Sequence, residues 1–123
     1  MPSLKYYHSI KIDGREIGKI QIVDYQVPHI EYDLDPAWHN RGIMTRELTT
    51  YLAKIRNTYP NLMAVVEKDN KASIRVLEKV GFVKFKPTKH YLIYLWTSDN
   101  KKREALKFLI EQSLDSVGLG HVK

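Results

Sequence analysis

A short loop with one glycine is the part of this 123-residue chain best suited to chemistry. Residues 35–48 read Asp-Pro-Ala-Trp-His-Asn-Arg-Gly-Ile-Met-Thr-Arg-Glu-Leu, which is typical of a strand end, a tight turn and the start of a helix. The first N–H groups of a helix have no partner within it and lie at the positive end of its dipole, where anions bind. Arg41 and Arg46 add positive charge nearby. The loop around Gly42 therefore predicts a phosphate site, although an ordinary strand-to-helix turn can have the same composition.

The elements that hold this loop can be read from their periodicity. Upstream, residues 29–34 alternate apolar with charged or polar side chains, which predicts a strand that Asp35-Pro36 ends, because proline cannot donate to a β-ladder. Downstream, apolar residues recur at helical spacing up to about residue 57: Met44, Leu48, Tyr51, Leu52 and Ile55.

The rest of the chain predicts a single α+β domain, residues 1–123, with no linker or repeat. Residues 5–24 predict a hairpin turning at Asp13-Gly14, with Ile12 opposite Arg15, Lys11 opposite Glu16 and Ile10 opposite Ile17. The apolar run 62–66 predicts a strand buried on both faces. Asn70 and Gly81 delimit a second helix. Strands 83–86 and 90–96 follow, and Ser98-Asp99 begins a C-terminal helix with an apolar stripe: Leu106, Leu109, Ile110, Leu114 and Val117.

Composition narrows the function classes. The chain has no cysteine, which excludes disulfides and a cysteine nucleophile, and its histidines lack ligand spacing, so we expect no metal site. No apolar run could cross a bilayer and no signal peptide is evident, so we expect a cytoplasmic protein without membrane contact. The net charge of +6 and pI near 9.5 favour a polyanionic partner, such as nucleic acid or a phosphate-rich cofactor, or simply a soluble surface.

Two motifs in this order resemble the GNAT superfamily of acyl-CoA-dependent N-acyltransferases. Residues 39–44, His-Asn-Arg-Gly-Ile-Met, are similar to the Gln/Arg-x-x-Gly-x-Gly/Ala loop that binds pyrophosphate in that family. Residues 70–82, which begin with Asn70 and end in Leu-Glu-Lys-Val-Gly-Phe, resemble the helix that closes on the pantetheine arm. The sequences of both motifs are most similar to the branch that acetylates ribosomal-protein N-termini, and the resemblance covers about residues 6–96.

The resemblance implies a fold, a cosubstrate and a reaction. The fold is a mixed, mostly antiparallel sheet that is splayed between strands 29–34 and 62–66 and flanked by the two motif helices and a C-terminal helix. Acetyl-CoA is the implied cosubstrate, and the acetyl group is transferred by direct attack of a primary amine: a protein N-terminus, a lysine or a small amine. The implied cofactor-binding residues are Tyr32, Asp33, Leu34, His39, Asn40, Arg41, Gly42, Ile43, Met44, Thr45, Asn70 and Ser73.

Catalytic roles follow from the same resemblance. An unpaired N–H of Tyr32 or Asp33 would bond the thioester oxygen where the strands part. A base on that strand would deprotonate the amine, and Glu31 and His29 both remain candidates on the face they share with Asp33. Relatives often protonate the departing thiolate with a helix tyrosine. Leu77 stands at that position here, so Ser73 is the candidate. Tyr91 and Tyr94 could reach the site but are expected to pack in the core.

Two departures from the family pattern keep other functions open. His39 replaces the usual Gln or Arg, and the sequence begins almost at the family's second strand, so we expect the usual acceptor wall to be absent. The C-terminal helix or a second copy of the chain would replace that wall, which suggests a homodimer. One alternative is a catalytically degenerate acyl-CoA-binding module, which would bind acetyl-CoA without turnover. The other is a basic RNA- or ribosome-associated adaptor using Lys101-Lys102-Arg103, which would bind RNA in a salt-dependent way.

Overall fold

A computed structural model describes residues 3–106 and residue 108. The strands are β1 Ser3–Ile12, β2 Arg15–Asp24, β3 His29–Leu34, β4 Asn61–Glu67, β5 Val83–Pro87 and β6 Tyr91–Thr97. The helices are α1 Ile43–Ile55 and α2 Lys71–Lys79, with a 3-10 turn at Pro36–Trp38. A third helix, α3, is described over residues 100–106.

All six strands form one sheet in the order β1-β2-β3-β4-β6-β5. Every neighbouring pair is antiparallel except β3 and β4, which run parallel. This confirms the predicted α+β fold with a mixed, mostly antiparallel sheet. In the described part of the chain, β3 and β4 share a single pair of Cα partners, His29 and Met63, where the Met63 N–H donates to Pro28 O at 3.0 Å. Beyond this bridge the two strands diverge, as the splayed sheet requires.

The core lies where α1 and α2 pack against one face of the sheet. The apolar positions of α1 recur at helical spacing, and Leu48 is its most deeply buried member. The helix α2 contributes Leu77, which is also fully buried. The sheet supplies alternate residues, as period two requires: Ile20, Ile22, Ile30, Leu62, Ala64, Val66, Tyr94 and Trp96.

The β1–β2 hairpin confirms the predicted turn but not the whole predicted register. Ile12 faces Arg15 and Lys11 faces Glu16, as expected, whereas Ile10 faces Gly18 instead of Ile17. The register shifts between Ile10 and Lys11. Ile17 and Ile20 are three residues apart, so a regular strand would place them on opposite faces, yet both are buried. The bulge lets Ile17 reach the core, and the burial of this side chain explains the shift in register.

The prediction that the strand 62–66 is buried on both faces is wrong. Burial along β4 alternates, with Leu62 and Val66 buried while the Val65 side chain is 47% exposed. Both α1 and α2 belong to the core on the Leu62 side, so only that face of β4 is covered by the described helices. The other face lines the second cavity described below, through Val65 and Glu67.

The ends of α2 and the start of α3 confirm the predicted caps. The Asn70 side chain accepts a hydrogen bond from the Ser73 N–H at 3.1 Å, and Gly81 ends the helix with a φ of 102°. Asp99 accepts from the N–H groups of Lys101 and Lys102 at the start of α3. The predicted apolar stripe beyond Leu106 lies outside the described residues.

The close approach of β2 and β3 at Gly18 predicts a large effect of one methyl group. A Cβ at Gly18 would lie 2.5 Å from the backbone oxygen of Asp33 and 2.9 Å from the Leu34 side chain. Because a carbonyl oxygen inside a β-ladder cannot move aside alone, we expect Gly18→Ala to lower the free energy of unfolding by about 2 kcal/mol or more. Thermal or urea unfolding checks this, with Lys19→Ala as the neighbouring control. An unchanged midpoint would show that the strands separate without cost.

Candidate active site

The loop between β3 and α1 is held in shape by hydrogen bonds from its own residues. The Asp35 side chain accepts from the Ala37 N–H at 3.0 Å, which starts the 3-10 turn. His39 donates from Nε2 to the Leu34 carbonyl at 2.7 Å, so its ring closes the loop against the strand end. Asn40 and Gly42 both have a left-handed backbone, with φ of 61° and 74°. These contacts fix the direction in which the first N–H groups of α1 point.

The N-terminus of α1 presents unpaired donors. The first hydrogen bond within the helix runs from the Arg46 N–H to Gly42 O at 3.1 Å. The N–H groups of Ile43, Met44 and Thr45 have no acceptor among the described residues, as expected for a first helical turn. A Cβ at Gly42 would meet no atom within 4 Å, so glycine is needed there for its positive φ and not for space. The turn can therefore bind an anion through main-chain groups.

A cavity of about 400 Å³ lies between this turn and α2. It brings together all the predicted cofactor-binding residues except Arg41: Tyr32, Asp33, Leu34, His39, Asn40, Gly42, Ile43, Met44, Thr45, Asn70 and Ser73. The Arg41 guanidinium instead lies 4.9 Å from the centroid of the Trp38 ring, in a cation–π contact. Arg75 and Lys79 of α2 line the cavity too, although the sequence analysis did not single them out.

A second cavity of about 440 Å³ meets the first at the point where β3 and β4 part. Both are lined by the same four residues: Tyr32, Asp33, Asn70 and Ser73. The second cavity continues past Glu31 of β3 and Glu67 of β4. A ligand held at the helix turn on one side could therefore present its end to a second molecule on the other side.

The backbone donor that faces the gap is that of Tyr32. The Asp35 N–H donates to Ile17 O, so odd-numbered residues at this end of β3 direct their N–H groups toward β2. Even-numbered residues direct theirs toward β4, consistent with the Pro28 carbonyl that accepts from Met63. Since β4 has diverged at this level, the Tyr32 N–H lacks a ladder partner. Of the two predicted oxyanion donors, Tyr32 and Asp33, the strand alternation thus selects Tyr32.

The Tyr32 side chain connects β3 to α2. Its hydroxyl lies 2.7 Å from Ser73 Oγ and 3.2 Å from the Ser73 carbonyl oxygen. Burial raises the pKa of Tyr32 to about 12, so the phenol stays protonated at neutral pH. The sequence analysis gave Tyr32 a main-chain role only. The partner on α2 could not be read from periodicity because the two residues are far apart in the chain.

The candidate bases differ in their surroundings. Glu31 lines the second cavity and accepts a hydrogen bond from Gln21 Nε2 at 3.2 Å. His29 lies at the closed end of the splay, where Nδ1 donates to the Val27 carbonyl at 2.7 Å, and it lines neither cavity. Asp33 lies 4.0 Å from Lys19 Nζ. The geometry therefore brings Glu31 to the cleft and leaves His29 outside it.

Glu67 and Gln21 are lining residues that the sequence analysis missed. Glu67 shares the open face of β4 with Val65, because the two are separated by one residue. Gln21 is the β2 partner of Glu31. Extending the period-two reading of β3 to its two neighbours would have found both residues.

The two tyrosines of β6 have separate environments. Tyr94 is fully buried and donates from its hydroxyl to Glu78 Oε2 at 2.9 Å, which confirms the expected core packing. Tyr91 is 43% exposed and lines the second cavity, so the expectation of core packing is wrong for it. Odd and even positions of β6 face opposite sides of the sheet, and among the described residues it is the even side that packs into the core with the helices.

Two further properties concern the described residues as a whole. No three histidine, aspartate or glutamate side chains among them lie close enough together to hold a metal ion. No helix within the same residues has the length and apolar character needed to span a membrane.

Two features together define the class of this protein. Its mixed sheet splits between the two parallel strands, and a glycine-containing turn that can bind an anion lies beside the split. The family model of the acetyltransferase (GNAT) domain matches residues 4–83, and the chain belongs to this family. No functionally curated protein matches the chain.

Several solved structures share the fold. Ribosomal-protein-S5-alanine acetyltransferase from Vibrio fischeri is 21% identical over 72% of this chain and 57% of its own, with a TM-score of 0.66. RimL, a ribosomal L7/L12 alpha-N-protein acetyltransferase in complex with coenzyme A, is 18% identical over 76% and 63%, with a TM-score of 0.64. The aminoglycoside acetyltransferase AAC(6′)-Ib in complex with coenzyme A is 16% identical over 80% and 68%, with a TM-score of 0.65. The present chain therefore spans little more than half of the Vibrio fischeri protein.

Proposed function

We propose that this protein is an N-acetyltransferase that transfers the acetyl group of acetyl-CoA to a primary amine. The observation that supports this most strongly is the split between β3 and β4, where a cavity beside the α1 turn meets a cavity lined by carboxylates. Membership of the GNAT domain family adds support. An amine and an acyl donor could approach each other from opposite faces of the sheet in this arrangement.

The residues of the first cavity fit acetyl-CoA. The N–H groups of Ile43, Met44 and Thr45 suit the diphosphate, since main-chain donors at a helix N-terminus bind phosphate oxygens. Asn70 uses its Oδ1 to cap α2, which leaves its Nδ2 to bond an amide of the pantetheine arm. The apolar surface of Met44 and Val76 suits the methylene groups of that arm.

The chain's own residues then provide the chemistry at the gap. Bound acetyl-CoA supplies an acetyl group activated as a thioester. The Tyr32 N–H stabilises negative charge that develops on the thioester oxygen, and such stabilisation is commonly the largest catalytic contribution. Glu31 accepts the proton of the attacking amine, directly or through water. Ser73 Oγ, which is hydrogen-bonded to the protonated Tyr32 phenol, donates a hydrogen bond that stabilises the departing thiolate.

The proposed acceptor is a cationic amine: a protein N-terminus, a lysine or a small amine. The acceptor cavity is lined by three carboxylates, Glu31, Asp33 and Glu67, and by one cation, Lys19, which is paired with Asp33. Its lining is therefore acidic within a protein whose net charge is +6, and an acidic lining attracts a positive ligand. The fold is shared with enzymes named for ribosomal proteins and for aminoglycosides, both of which present amines. A homodimer and a cytoplasmic location stay predictions from the sequence. The RNA adaptor is supported by the positive charge of the chain and by no contact or cavity described above.

The test is a calorimetric titration with acetyl-CoA followed by a thiol-release assay over a panel of amines and peptides. We expect saturable binding and acceptor-dependent release of coenzyme A. Binding without release for every acceptor would contradict the enzyme and leave the acyl-CoA-binding module. Absence of binding would contradict both.

A further inference from the structure

Arg75 of α2 is held against the anion-binding loop although it comes from another element. Its guanidinium donates from Nη2 to Asn40 Oδ1 at 3.0 Å, and Asn40 lies two residues before Gly42. The bond to the neutral Asn40 amide uses one of the five N–H donors of the guanidinium. The remaining donors stay available in the first cavity, which Arg75 lines.

Lys79 lines the same cavity one helical turn after Arg75. Among the described residues, the ion pairs are His8 with Glu47 and Lys19 with Asp33, so neither Arg75 nor Lys79 is paired with a carboxylate. Like charges four residues apart on a helix repel each other and destabilise it. Arg75 and Lys79 are such a pair, as are Lys71 and Arg75. Of these three cations, Arg75 and Lys79 line the cavity, where a bound anion would offset their repulsion.

The cavity thus has two separate groups of anion ligands. The main-chain N–H groups of residues 43–45 lie on the α1 side, and two cationic side chains lie on the α2 side. A diphosphate needs only the first group, as phosphate sites at helix N-termini show. The second group fits a further phosphate that belongs to the same ligand but is separate from its diphosphate.

We propose that Arg75 and Lys79 form a subsite for the 3′-phosphate of the coenzyme A ribose. The proposal rests on the proposed use of acetyl-CoA and adds a specificity to it: the protein distinguishes coenzyme A from 3′-dephospho-coenzyme A. A phosphate monoester is a dianion that accepts charge-assisted hydrogen bonds from arginine and lysine. Asn40 orients Arg75 for this contact and couples the subsite to the loop.

Calorimetric titration of the two ligands tests the subsite without any need for turnover. We expect the wild-type protein to bind coenzyme A about tenfold more tightly than 3′-dephospho-coenzyme A, since charge-assisted contacts to an exposed phosphate have about this effect. In Arg75→Gln/Lys79→Ala, coenzyme A should bind about tenfold more weakly while the affinity for the dephospho form stays the same. Glutamine retains a donor for Asn40, so the loop contact is preserved.

Lys71→Ala is the matched control. Lys71 is an exposed cation on the same helix, one turn before Arg75, and it does not line the cavity. Its loss should leave the preference for coenzyme A unchanged, which excludes a general effect of net charge. The subsite is wrong if the double variant weakens both ligands equally, because the cations would then act on the diphosphate. Equal affinity of the wild type for both ligands also refutes it, whereas absence of binding to either ligand refutes the proposed function as well.

Discussion

Replacing Gly42 with aspartate is expected to weaken acetyl-CoA binding by about 100-fold or more while the protein remains folded. Its carboxylate would lie beside the first-turn N–H groups that we assign to the diphosphate, at the positive end of the helix dipole, and would compete with the phosphates there. It would also place a negative charge beside two phosphates. The open space around a Cβ at this position means that no neighbouring atom is displaced. Calorimetry measures the affinity, and thermal unfolding measures the retained stability.

Gly14→Asp provides a control at another glycine with a positive φ. Gly14 has a φ of 78° in the hairpin turn and, like Gly42, has no atom within 4 Å of a built Cβ. Both variants bear the cost of a side chain at positive φ, but only the one at residue 42 lies at the anion site. Proline at residue 42 should also abolish binding, because its fixed negative φ cannot reproduce the loop. Normal acetyl-CoA affinity of Gly42→Asp would show that the cofactor site has been misplaced.

Glu31→Gln is expected to lower kcat by about 100-fold or more with little change in the affinity for acetyl-CoA. Glutamine keeps the size of the side chain and can still bond Gln21, but it cannot accept a proton from the amine. For a lysine acceptor, whose pKa is about 10.4, the deficit should shrink as the pH rises, because a growing fraction of the amine is already neutral. Thiol-release rates at saturating acetyl-CoA over a range of alkaline pH measure this.

Comparison with Asp33→Asn distinguishes a carboxylate that acts as a base from one that only attracts the amine. Asp33 lies on the same face of β3, two residues further along, and is paired with Lys19 at 4.0 Å. We expect its loss to change the KM for the amine more than kcat, since a charge that only attracts the acceptor does not take its proton. Equal losses of kcat in both variants, or a deficit of Glu31→Gln that does not depend on pH, would contradict general-base catalysis by Glu31.

Local signals were sufficient to predict most of the elements. Asp13-Gly14, Asn70, Gly81 and Asp99 each impose their turn or cap through backbone chemistry within a few residues. The alternation of apolar and polar residues predicted a strand over residues 29–34, and these are the bounds of β3. The loop around Gly42 was predictable for the same reason, because a strand, a glycine and an amphipathic helix follow one another directly in the chain.

Long-range packing determined what the sequence analysis missed. The bulge at Ile17 and the open face of β4 depend on which side of the sheet receives the helices, and a single strand does not encode that choice. The contact between Tyr32 and Ser73 joins residues 41 positions apart. The sequence analysis placed Arg41 among the cofactor-binding residues but did not predict the cation–π contact between its guanidinium and Trp38. Sequence adjacency is thus a poor guide to side-chain direction in a tight loop.

The single bridge between His29 and Met63 also divides the polypeptide into two local units. Strands β1 to β3 form a meander from contiguous sequence, and β4, β5 and β6 pair among themselves within residues 61–97. Most strand pairing is therefore short-range, which favours rapid folding of each unit. The gap between β3 and β4 coincides with the boundary between the two units, so opening it breaks no ladder within either unit.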